Sequence, residues 1–148
     1  MMSNITPYLL SYTLSFATIT TVLVYGLRLP TRITGNRDLV KTYYIDRFVS
    51  STILDFFLIG LYLLAAVGLM RFLPAMAQRS LGWQIGTVAL ATVLISGAFA
   101  WYFLSRPQTS QFFSRWFHAV GMKAVVYDIV LVSSVFVTTK LLMSRIAP

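Results

Sequence analysis

The 148-residue chain has four acidic residues, all aspartates, and two of them stand inside long apolar runs. Asp55 lies in TILDFFLIG (52–60) and Asp128 in AVVYDIVLV (124–132). A carboxyl group in such a run can carry a proton, bind a cation, or hydrogen-bond a neighbouring helix. An aspartate at mid-membrane costs about 2.5–3.5 kcal/mol on insertion scales, and intramembrane acids commonly mark proton or ion paths. Leu, Ile, Phe and Val each return about 0.3–0.6 kcal/mol, so the run around Asp55 still inserts. Lys123 precedes Asp128 by five residues, off the i,i+4 spacing at which side chains pair on a helix. The candidate counter-charge is therefore an arginine from a connecting segment.

Other chemistry is sparse. His118 is the only histidine, cysteine is absent, and no carboxylate stands at metal-ligand spacing, so neither metal nor cofactor is expected. Neither G-x-S-x-G nor a P-loop occurs, and no enzymatic activity is expected. Asn4-Ile5-Thr6 is an N-glycosylation sequon, expected to go unused because it sits a few residues from the first apolar run.

The elements that carry the two aspartates follow from composition. Apolar residues make up 57% of the chain and charged residues 11%, against about 25% charged in soluble domains. Such a surface faces lipid. Four runs reach the length of about 20 residues that a bilayer needs, at about 7–27, 48–70, 81–104 and 119–142. The first lacks a basic leader and reads as a span rather than a signal peptide. Pro30 and Gly35, Pro74, and Pro107 punctuate the connections. The fold class is an all-α integral membrane four-helix bundle forming a single domain.

The net charge of +8 is distributed between and beside these runs, which suits lipid head groups rather than nucleic acid. Arg28, Arg32, Arg37, Lys41 and Arg47 occupy the link at 28–47. Arg106 and Arg115 occupy the link at 105–118, with Lys123 just beyond. Arg71, Arg79, Lys140 and Arg145 lie on the opposite side. The larger group belongs on the cytoplasmic side, which places both termini on the other. Tyr43, Tyr44, Trp83, Trp101, Tyr102, Trp116 and Phe117 fall near run ends and read as interfacial aromatic belts.

Helical spacing puts Ser51, Asp55, Leu58, Tyr62 and Ala65 on one face of the second span. Gly121, Ala124, Asp128, Leu131, Val135 and Thr138 share a face of the fourth. The third offers Gly82, Gly86, Ala89, Val93, Ser96 and Ala100, and the first Ser11, Ser15, Thr18 and Tyr25. Small and hydroxyl residues let membrane helices approach closely and bond across the contact. Gly82, Gly86, Gly121 and Ala124 are accordingly expected at helix contacts, and Asp55 and Asp128 in the bundle interior.

Superposing Asp55 on Asp128 aligns Tyr43 with Trp116 and Tyr44 with Phe117, as in a duplicated two-helix hairpin. Such parallel repeats are related by an axis along the membrane normal. Each aspartate would then lie on the order of 12 Å below the cytoplasmic boundary, at about 1.5 Å per residue.

The segment RWFHAVGMKAVVYDIVLVSSVFVTTKLL (115–142) resembles short multi-pass membrane proteins of large DNA viruses of eukaryotes, through Trp116, Phe117, Gly121, Ala124, Val125 and Asp128. In the second span Tyr43, Tyr44 and Asp55 fit the same pattern, with Phe48 in the glycine position. The resemblance implies a virion or infected-cell membrane protein with membrane or capsid-type partners or self-association. The leading expectation is a structural or assembly component of a membrane. The alternatives are a small ion channel or proton-coupled transporter using the aspartates, and an accessory subunit of a larger membrane complex. Carboxyls packed dry against Ser, Thr or Tyr favour the first; a water-accessible cavity reaching both favours transport.

Overall fold

The computed structural model describes residues 5–73 and 80–146, so Asn4, Pro74 and Arg79 lie outside the described residues. Among the described residues four helices are long and apolar enough to cross a membrane: Ile5–Gly26, Phe48–Phe72, Leu81–Leu104 and Met122–Ile146. They coincide with the four expected runs, except that the fourth starts at Met122 rather than 119.

The first span is α1 (Ile5–Thr20), which widens into a π-turn over Thr21–Gly26. The link at 28–47 is itself helical. It holds α2 (Leu29–Thr34) and α3 (Arg37–Lys41), the latter passing into a second π-turn, Thr42–Asp46. Pro30 sits in the first turn of α2, where a missing N–H costs nothing. Gly35 ends α2 at φ 71°, and Asn36 caps α3 by accepting from the Leu39 N–H at 3.0 Å. Next come α4 (Phe48–Phe72), α5 (Leu81–Leu104), a short α6 (Phe112–Val120) and α7 (Met122–Ile146).

Helix α7 packs along both α1 and α5; α4 packs against α5 and meets α7 only briefly. Close approach of α1 to α7 is permitted by Ser11 and Ser15, both fully buried. α1 reaches α4 through side chains: the Tyr12 hydroxyl donates to the Phe56 carbonyl, and the Phe16 and Phe56 rings meet edge-on at 5.3 Å. Leu63, Ala66, Val88, Ala91, Val132 and Val135 close the bundle's middle, each at most 2% exposed. Phe57, Leu64, Leu90, Leu94 and Trp101 point outward, as lipid-facing positions do.

Three glycine assignments are corrected. Gly82 and Gly86 are exposed, and a Cβ on Gly86 would meet nothing within 4 Å, so the G-x-x-x-G is not a helix contact. The packed face of α5 runs instead through Thr87, Val88, Ala91, Thr92, Ser96 and Ala100. Of the expected stripe only Ser96 and Ala100 are buried, whereas Val93 is exposed; the packed face is one of small and hydroxyl residues, with Leu90, Leu94 and Phe99 turned outward. Gly121 does not pack within a helix either. At φ 59°, ψ −137° it breaks the chain between α6 and α7, a conformation that L-residues rarely adopt. Ala124 is at a contact as expected, 1% exposed beside Trp116, Phe117 and Val120.

Candidate functional site

The two intramembrane aspartates open on one cavity. Asp55 is the eighth residue of α4 and Asp128 the seventh of α7. Both line a chamber of about 220 Å³ together with Tyr43, Tyr44, Tyr62 and Tyr127. Neither carboxyl is fully buried, although protein surrounds each, because their free surface faces this chamber.

Each carboxyl takes a hydroxyl partner from another element. The Tyr43 hydroxyl, at the end of the first link, donates to Asp55 Oδ1 at 2.6 Å. Burial, and after it the Asp55 carboxyl, push the Tyr43 phenol up, so the ring keeps its proton and remains the donor. Ser96 on α5 donates to Asp128 Oδ2 at 2.5 Å. A third bond joins the buried Tyr44 and Tyr127 hydroxyls at 2.8 Å, tying the first link to α7.

The roof of the chamber is α6. Its sequence FFSRWFHAV places Phe112, Phe113, Trp116, Phe117 and Val120 along one face and leaves Arg115 exposed. Phe112 stacks on Tyr43 with ring centres 5.0 Å apart, and Phe117 stacks on Phe103 at 5.6 Å. The ring nitrogens of His118 lie 2.8 Å from the Ser114 carbonyl and 3.1 Å from that of Arg106, which straps α6 to the preceding loop. On the opposite side the chamber ends at Tyr62, beyond which the closely packed middle of the bundle begins. The exposed members of the lining are Leu54 on α4 and Phe99 on α5, so the rim faces outward between these two helices.

No family model, curated protein or solved structure matches the chain.

The expected counter-charge does not arrive. Arg28, Arg32, Arg37, Lys41, Arg47, Arg106, Arg115 and Lys123 are all exposed. Arg47 stands 6.0 Å over the Phe112 ring, on the outside of the roof. Arg106 covers the Tyr102 ring at 4.0 Å and donates to its hydroxyl at 2.7 Å. Among the described residues neither aspartate has a lysine or arginine partner. Lys140, toward the end of α7, instead donates to Gln84 on α5.

Of the other expected polar positions, Tyr62 lines the chamber, whereas Ser51 is buried beside it and donates to its own helix at the Phe48 carbonyl, 3.1 Å away. The assignment of Tyr43, Tyr44, Trp116 and Phe117 to interfacial belts is corrected. All four are at most 9% exposed and line the chamber. The signal for this was present: the two aromatic pairs that align in the repeat stand at the same distance before the two aspartates. Trp83, Trp101 and Tyr102 remain exposed near helix ends, as belt residues are.

Proposed function

We propose that this multi-pass membrane protein is a small proton-coupled carrier that takes a cation on Asp55 and Asp128. The observation that carries the reading is that both carboxyls face one cavity and, among the described residues, neither has a cationic partner. A carboxylate away from water is costly unless a cation or a proton neutralises it. The chamber therefore favours two states, cation-bound and protonated, which are the two states a coupled carrier exchanges. The packed middle beyond Tyr62 argues against a standing pore and for alternating access. On the positive-inside count the chamber side is cytoplasmic, and the basic links meet anionic head groups there. The resemblance to viral membrane proteins supplies a setting, the membrane of a virion or an infected cell.

Proteoliposome measurements test this. Purified protein should move protons against an imposed gradient of organic or alkali cation, and Asp55→Asn or Asp128→Asn should abolish the movement. Wild-type protein that is folded yet silent toward every cation would overturn it. A second reading, a scaffold within a membrane assembly, is favoured by the hydroxyl partner that each carboxyl already has. It predicts intact assembly and no flux.

A further inference from the structure

The chamber also carries information about which cation it takes. Resting on the carrier reading, we propose that its ligand is a small, lipophilic organic ammonium ion, and that the site is an aromatic cage closed by two carboxylates.

Four observations support this choice over an inorganic ion. First, the walls are aromatic: Tyr43, Phe103, Phe112, Trp116 and Phe117 all line the same space, held in stacks of Phe112 with Tyr43 and Trp116 and of Phe103 with Phe117. Aromatic faces attract an ammonium group and ask little of its weak hydration, which is how quaternary ammonium ions are recognised. Second, the oxygen supply is too small for a hard metal ion and sufficient for an ammonium ion. Hard metal ions take about six or more oxygen ligands; here two carboxyls stand on separate helices, each partly engaged by a hydroxyl. No group of three or more metal-binding side chains occurs among the described residues. Third, size sets a limit. A volume of about 220 Å³ matches a compact alkyl- or aryl-ammonium and is small for a multi-ring cation. Fourth, the rim at Leu54 and Phe99 is apolar and faces outward between α4 and α5, so the entering species must tolerate hydrocarbon. Phe99 and Phe103 also line a second, shallower groove on the outer face of α5, which continues the apolar approach.

The probe is benzyltrimethylammonium, titrated into the full chain in mild detergent. Trp116 lies in the wall whereas Trp83 and Trp101 are exposed on the bundle's outside, so a Trp83→Phe/Trp101→Phe background isolates its fluorescence. Saturable quenching is expected, confirmed by calorimetry on wild type. Asp128→Asn and Asp55→Asn should each weaken binding at least tenfold. Two comparisons need no variant of the site and hold even if those proteins fail to fold. The neutral isostere neopentylbenzene should bind at least tenfold more weakly than the cation, and tetraphenylphosphonium should fail to compete. Equal binding of isostere and cation would overturn the ligand class, as would Asn variants that fold and keep full affinity. Failures of the two proposals separate. Aspartate-dependent binding with no flux leaves the ligand class standing and removes the carrier. Aspartate-dependent proton flux with no binding of the probe does the reverse.

Discussion

Replacing Ser96 by alanine removes the hydroxyl that holds Asp128 Oδ2 at 2.5 Å. Ser96 is 1% exposed, and the substitution deletes one oxygen, so little packing is lost with the bond. The size of the loss depends on the carboxyl. A hydrogen bond to a charged group contributes about 1.5–3 kcal/mol and one between neutral groups about 1. Cross-helix bonds in a membrane average about 0.6 kcal/mol and reach about 1.7. Ser96→Ala should therefore cost about 1–2 kcal/mol, near the top of the membrane range. Asp128→Leu replaces the acid with an apolar side chain of similar size. In that background Ser96→Ala should cost under about 0.5 kcal/mol, because the acid partner is gone and only the contact with Tyr62 remains. The assay is reversible unfolding in mixed micelles titrated with sodium dodecyl sulfate and followed by circular dichroism. A coupling below about 0.3 kcal/mol would refute the reasoning. The α5–α7 contact at this level would then owe nothing to the acid.

Tyr44→Phe leaves the Tyr127 hydroxyl buried without its 2.8 Å partner, and should cost about 1–3 kcal/mol. Adding Tyr127→Phe should recover part of that loss in the same unfolding assay. Gly86→Ala should be neutral or stabilise by up to about 1 kcal/mol, since the added methyl meets nothing; a loss would restore the G-x-x-x-G as a contact. Gly121→Ala forces a side chain into φ 59°, ψ −137° and should cost about 1–3 kcal/mol, seen as a lower melting temperature in detergent.

The four spans were legible because a bilayer imposes one requirement, about 20 apolar residues, which composition meets or fails. That Asp55 and Asp128 face inward was legible for a related reason: lipid gives a carboxyl no partner. What lay beyond reach was anything decided by the fit of one helix on another. The Gly82/Gly86 pattern has the right spacing, yet the face of α5 that packs is turned toward Val88, Thr92 and Ser96. Gly121 reads as a small residue on a helical stripe until the α6–α7 break shows that its backbone angle is its use. Residues 28–47 and 105–118 read as basic links because their arginines and lysines dominate the pattern. Their helices are short, and such helices owe their stability mainly to packing rather than to propensity. In α6 the i,i+4 aromatic spacing of Phe112 with Trp116 and Phe113 with Phe117 was available as a helix signal. Belt chemistry explained the same residues and concealed it.

The two π-turns bear on how the chain tolerates changes of length. In each, a backbone N–H reaches back five residues rather than four: Leu27 to the Val22 carbonyl at 2.8 Å, and Arg47 to the Thr42 carbonyl at 3.1 Å. Such a turn holds one residue more than an α-helix needs for the same advance. Deleting one residue from Thr21–Gly26 can relax that turn to ordinary helix while the rest of α1 keeps its face toward α7. A one-residue deletion in the middle of α5 has no such slack. It rotates everything beyond it by about 100°, given 3.6 residues per turn, and carries Ser96 away from Asp128 or Gln84 away from Lys140. Single-residue deletions should therefore be accepted in the Thr21–Gly26 turn of the first span, and rejected within α5 and α7.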